Sequence, residues 1–119
     1  MLCCSGEMHI GEGLFLNQNV MITSMKNIEI GKEVTIGNNV VIVDHDHNFK
    51  KTSDEAFLSE SVEIGDFSWI GANSVILRGV HLGHHCVVAA GTVVRKGVYE
   101  PYTIISNELK TVQRKYNVS

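Results

Sequence analysis

Aliphatic side chains recur every six residues through most of this chain, and that spacing restricts the fold more than any other feature. The anchors are Ile10, Leu16 and Ile22; Ile30, Ile36 and Ile42; Ile64, Ile70 and Ile76; Leu82, Val88 and Val94. Six of the twelve are followed at once by glycine: Gly11, Gly31, Gly37, Gly65, Gly71 and Gly83. The fourth residue after an anchor is small or aliphatic in ten hexads, and the exceptions, Lys26 and Asp46, border breaks in the pattern. Six is a multiple of the strand period of two, so all anchors on an extended chain point to one side. A helical face, repeating every ~3.6 residues, does not fit that spacing. Short strands separated by tight corners are therefore expected, stacked so that each unit buries its apolar side on its neighbours. Three hexads per coil would make a triangular prism with the anchors in columns down its inside, an all-β fold in the class of parallel β-helices.

The breaks carry information of their own. Ile22 to Ile30 is eight residues, which predicts a two-residue bulge at one corner. Ile42 to Ile64 is 22 residues, one 18-residue coil plus four, and the polar stretch DHDHNFKKTSDEAFLSES between them predicts an excursion over about 44–61. Loops of that size in a compact domain are commonly functional. After Val94 the next anchor site falls on Glu100, so the repeat is expected to stop there. Leu109, Val112 and Tyr116 in SNELKTVQRKY have helical spacing and predict a short helix over the open end of the prism.

At 119 residues the chain fits a single domain spanning 1–119. A formal net charge of −3 gives no reason to expect nucleic acid or an anionic membrane as partner. Eleven glycines against one proline suit a backbone that turns often without losing order. Three cysteines, two of them adjacent (Cys3 and Cys4), make no disulfide framework, and Cys86 falls in an inward small-residue slot. The opening residues carry no basic region followed by an apolar run, and no stretch reaches membrane-spanning length, so the expectation is a reduced, cytoplasmic protein.

The hexads, together with IGNNVVIVDHDHNF and VEIGDFSWIGANSVILRGVHLGHHCVVAAGTVVRKGV, resemble the hexapeptide-repeat acyltransferases. The similarity is greatest to the maltose and galactoside acetyltransferase-like branch, which acts on sugars and surface polysaccharides, and it runs from about Met8 to Ile105. It implies a left-handed parallel β-helix, a homotrimer, and acetyl-coenzyme A (acetyl-CoA) lying in the groove between subunits. By the same resemblance the catalytic histidine falls on His45, and the acceptor-sugar asparagine on Asn17. Trp69 matches the aromatic of the IGDxxWIG block, a substrate contact. The pantetheine arm would pass Gly71, Ala72 and Ala90, and Arg95 and Lys96 would lie near the nucleotide end of coenzyme A. Two departures stand out: the family's extra N-terminal residues are not in this sequence, and its usual GNPAK closing motif reads SNELK here.

The chemistry implied for His45 is one an imidazole can perform. An alcohol is too weak an acid to attack a thioester at neutral pH unless a base takes its proton as the bond forms. Neutral histidine suits that role, and glycine-rich corners can expose backbone donors to an oxyanion. On an extended backbone His45 and His47 share one face, with Asp44 and Asp46 on the other, so His47 is a second candidate for acceptor contact. Zinc chemistry of the gamma carbonic anhydrase type, on the same coil, is disfavoured. HLGHH does not reproduce that family's histidine spacing, and His81, His84 and His85 read as solvent-facing corner residues. No metal is expected. The leading expectation is an acetyl-CoA-dependent O-acetyltransferase for a sugar hydroxyl. The alternatives are N-acetylation of an amino sugar, O-acetylation of an antibiotic, or a non-catalytic β-helix scaffold.

Overall fold

The computed structural model of the chain describes residues 1–47, 57–107 and 115, and all regular structure among them is strand. Three five-stranded parallel sheets form the sides of a prism. The first face stacks Leu2–Cys4, Met21–Ser24, Val41–Val43, Val75–Ile76 and Val93–Val94. The second stacks Glu7–Ile10, Asn27–Ile30, Val62–Ile64, Val80–Leu82 and Gly97–Tyr99. The third stacks Phe15–Leu16, Thr35–Ile36, Trp69–Ile70, Val87–Val88 and Ile104–Ile105. The chain visits the faces in that order, so each coil contributes one strand to each.

The anchors pair in register, forming three inner columns. Leu2, Ile22, Ile42, Ile76 and Val94 make one. Ile10, Ile30, Ile64, Leu82 and Tyr99 make the second, and Leu16, Ile36, Ile70, Val88 and Ile105 the third. Ile22, Ile36, Ile42, Ile70 and Ile76 are fully buried. Each such side chain contributes about 1.5–3 kcal/mol relative to exposure. In the outermost coil Ile10 and Leu16 remain 40% and 36% exposed, since they have a neighbouring coil on one side only. The small inward slots between anchors are polar but satisfied: Ser74 Oγ donates to the Ala89 carbonyl at 3.0 Å and accepts from Thr92 N at 3.3 Å.

Two sequence expectations need correction. The repeat does not stop at Glu100: Tyr99 and Ile105 take the next two anchor positions. One residue is missing from the corner after Val94, so the frame shifts and Val98, an inward position by spacing, stands 85% exposed. Nor does Ile42 to Ile64 span a coil plus four. Val41–Val43 and Val62–Ile64 lie on successive faces of one coil, and everything between them leaves at a single corner. That excursion begins as an antiparallel pair, His45–His47 with Phe57–Ser59; residues 48–56 lie outside the described residues. So do Leu109, Val112 and Tyr116, on which the C-terminal helix was expected.

All irregular spacings fall on the edge between the first and second faces. The other two edges hold strictly to six, for a steric reason. At the edge between the third and first faces, a Cβ on Gly71 would lie 2.5 Å from Ala90 N and 2.7 Å from the Val88 carbonyl oxygen. Each corner there also turns through a left-handed residue, Asn19, Asn39, Asn73 or Gly91, a conformation that asparagine and glycine tolerate. Gly71→Ala is therefore expected to destabilise the fold by about 1–3 kcal/mol, because backbone rather than a flexible side chain must yield. An unchanged urea midpoint would contradict that close stacking.

Candidate active site

The irregular edge gathers most of the chemistry. At Asp44 the chain bends out of the first face, and the bend turns the Asp44 carboxylate inward, where it is fully buried. Three backbone amides of the bulged corner in the preceding coil donate to it: Met25 N to Oδ1 at 2.8 Å, and Lys26 N and Asn27 N to Oδ2 at 2.8 and 2.7 Å. Ser24 Oγ lies 3.1 Å from Oδ2. Burial alone would push this carboxyl up, but the three amides and the His45 ring together hold it below the usual carboxylate range.

His45 Nδ1 lies 3.2 Å from Asp44 Oδ1. The strict alternation expected for DHDH fails here because Asp44 sits in the bend, so neighbours in sequence become a hydrogen-bonded dyad. An ionised carboxylate can only accept, which places the imidazole proton on Nδ1 and leaves Nε2 as the basic nitrogen. His45 is 18% exposed and lines a cleft of about 360 Å³ with Val43, Asp46, Leu77, Arg78, Arg95 and Lys96. Behind the cleft, Glu60 closes the loop: its amide donates to the Asp44 carbonyl at 2.9 Å. Its carboxylate accepts from Arg78 Nη1 and, at 2.6 Å, from Lys96 Nζ. Lys96, with Arg78, holds the Glu60 carboxyl below its ordinary range.

Arg95 and Lys96 thus share the His45 cleft. Asn17, Gly71, Ala72 and Ala90 do not; they lie along the edge between the third and first faces, one whole face away from His45. Neither Ala72 nor Ala90 donates its N–H to an acceptor among the described residues. Trp69 stands outward on the third face, 53% exposed, in register with Thr35 and Val87. His47 is exposed at the far end of its strand, its ring 4.9 Å from that of Phe57. His84 and His85 occupy the edge between the second and third faces, whereas His81 lies mid-face, with Nδ1 3.3 Å from Glu63 Oε2. Among the described residues no three histidine, cysteine, aspartate or glutamate side chains are grouped to hold a metal ion.

Sequence reading missed Asp44, Glu60 and Arg78. A signal for two of them existed: Asp44, Arg78 and Lys96 each follow by two residues an anchor of one column, Ile42, Ile76 and Val94, so all three fall at the same edge of the prism.

The comparisons with known proteins agree with this architecture. The pattern described as "Hexapeptide repeat of succinyl-transferase" matches residues 10–43, and "Bacterial transferase hexapeptide (six repeats)" matches residues 61–96. The chain is 31% identical to the putative lipopolysaccharide biosynthesis O-acetyl transferase WbbJ of Escherichia coli (strain K12), over 94% of this chain and 62% of that protein. It is 30% identical to the galactoside O-acetyltransferase of Lactococcus lactis, over 93% of this chain and 54% of the relative. The crystal structure of the hexapeptide-repeat acetyltransferase VCA0836 from Vibrio cholerae, complexed with acetyl-CoA, superposes with a TM-score of 0.73. Identity there is 31%, covering 84% of this chain and 55% of that one. The chain therefore spans between half and two thirds of the length of these relatives. Shared repeats, shared coil and this level of identity place it in one group: the chain belongs to the hexapeptide-repeat acyltransferase family.

Proposed function

We propose that this chain carries the transfer centre of an acetyl-CoA-dependent O-acetyltransferase acting on a sugar hydroxyl, as in surface polysaccharide or nucleotide-sugar metabolism. The observation that carries the proposal is the Asp44–His45 dyad opening on a cleft, in a chain similar to named sugar O-acetyltransferases. Asp44 accepts from Nδ1–H of His45 and so orients the ring with Nε2 toward the cleft as the acceptor. The acceptor hydroxyl gives its proton to Nε2 while its oxygen bonds to the acetyl carbon. As the tetrahedral intermediate collapses, the carbon–sulfur bond breaks and the proton passes from Nε2 to the departing thiolate. Acetyl-CoA supplies the activated acyl group; His45 and Asp44 supply the proton handling.

The assembly proposed is a homotrimer with sites between subunits. Two faces carry apolar side chains outward, Met21, Val41, Val75 and Val93 on the first, and Phe15, Trp69, Val87 and Ile104 on the third. The second face instead presents His9, Glu29, Glu63 and His81. Covering the two apolar faces with neighbouring copies would bring the Asn17 edge of one to the His45 edge of another. The amides of Ala72 and Ala90, which have no acceptor among the described residues, fit a pantetheine arm, which needs donors for its carbonyls. A cytoplasmic setting fits the free thiols of Cys3, Cys4 and Cys86, and no helix among the described residues is long and apolar enough to cross a membrane. Titrating acetyl-CoA into the purified protein should release heat, and sugars should elicit thiol release. Absence of both would favour a scaffold role instead.

A further inference from the structure

Arg78 lines the His45 cleft, and no step of the reaction just described uses it. It follows Ile76 by two residues, as Asp44 follows Ile42 and Lys96 follows Val94, and those three anchors are in register on the first face. Neighbouring coils lie about 4.8 Å apart, which puts Arg78 one coil from the dyad and Lys96 two. The Glu60 carboxylate bonds both Arg78 and Lys96, so one negative charge faces two positive ones. Arg95 adds a third cation to the lining, opposed there by Asp46. A guanidinium offers five N–H donors in a planar fork, and Glu60 engages Nη1.

Building on the transferase reading, we infer that Arg78 binds an anionic group, a carboxylate or a phosphate, on the acceptor sugar. The phosphates of the donor are separated from its thioester by the whole pantetheine arm. With the acetyl carbon at His45, they lie well beyond a side chain one coil away. The reacting hydroxyl of the acceptor must instead come within hydrogen-bond reach of His45, and its own ring substituents lie close by. Arginine recognises carboxylate and phosphate through paired N–H bonds, which gives both attraction and a fixed orientation. Glu60 is then a positioning residue. It holds the guanidinium over the cleft, while its backbone amide ties the loop to Asp44.

The test follows thiol release from acetyl-CoA with three probes: methyl glucuronide, glucose 1-phosphate and methyl glucoside. The wild-type protein is expected to prefer one of the charged probes, and which one it prefers separates carboxylate from phosphate. In Arg78→Gln the ratio of kcat/KM for that probe to kcat/KM for methyl glucoside should fall about tenfold or more, with KM for acetyl-CoA unmoved. Arg78→Lys should recover part of the loss. A wild-type preference for methyl glucoside, or an equal loss on charged and neutral probes, would overturn the inference. A raised KM for acetyl-CoA would also overturn it, by placing Arg78 on the donor. Binding of acetyl-CoA without thiol release from any probe would overturn it while leaving donor recognition intact. Failure to bind acetyl-CoA at all would instead remove the transferase reading itself.

Discussion

Replacing His45 by alanine is expected to cut acetyl transfer roughly 100- to 10,000-fold, the usual worth of a positioned general base, while leaving the coils intact. The side chain lies outside the three inner columns, on the strand that leaves the prism, so its loss opens no cavity among the stacked anchors. Its main partners are the Asp44 carboxylate and the edge of the Phe57 ring, 6.1 Å away between centroids. Removing the imidazole leaves Asp44 with its three amide donors, which keep the preceding corner in place. The measurement is steady-state thiol release beside circular dichroism and sedimentation of the same sample. Retained transfer in a folded His45→Ala protein would take His45 out of the mechanism, whereas lost transfer with lost structure would show that the side chain has a folding role the geometry does not predict.

The coil was legible because strand alternation and a six-residue repeat reinforce each other: every anchor must face the same way, and stacking is the only way to bury them all. Frame was legible only while each hexad kept its length. Dropping one residue between Val94 and Tyr99 moved the next anchor from Glu100 to a tyrosine, and a pattern built on Ile, Val and Leu passes over Tyr99. The dyad was hidden for a different reason. Alternation places Asp44 and His45 on opposite faces, and only the bend at the exit of the loop brings them together. Glu60 was harder still, because its partners Arg78 and Lys96 are 18 and 36 residues on and meet it only once the loop has returned and two further coils have stacked. Asn17 and His45 illustrate the limit from the other side: the family resemblance implies that they share one site, yet a single chain keeps them on separate edges.

Asp44→Asn should lower stability by about 2–4 kcal/mol at neutral pH. The carboxylate presents two acceptor oxygens to Met25 N, Lys26 N and Asn27 N; an amide offers one, so an NH2 group must face backbone N–H groups in a buried corner. Asp44 is fully buried, so contact with bulk solvent does not offset the loss. The effect carries a pH signature with a definite sign. Asp44 titrates below the ordinary aspartate value of about 3.8 in the folded protein, so the folded state binds its proton less readily than the unfolded chain does. Its contribution is therefore complete above the unfolded pKa and is lost as pH falls through the lower, folded one. Below both values the wild-type side chain is a neutral carboxylic acid, and the distinction from asparagine shrinks. Urea midpoints of wild type and Asp44→Asn should differ widely at pH 7 and converge on acidification below about 3.8. A gap that stayed constant across that range would mean the amides of the bulged corner do not depend on the charge of Asp44, and that the orientation of His45 has another source.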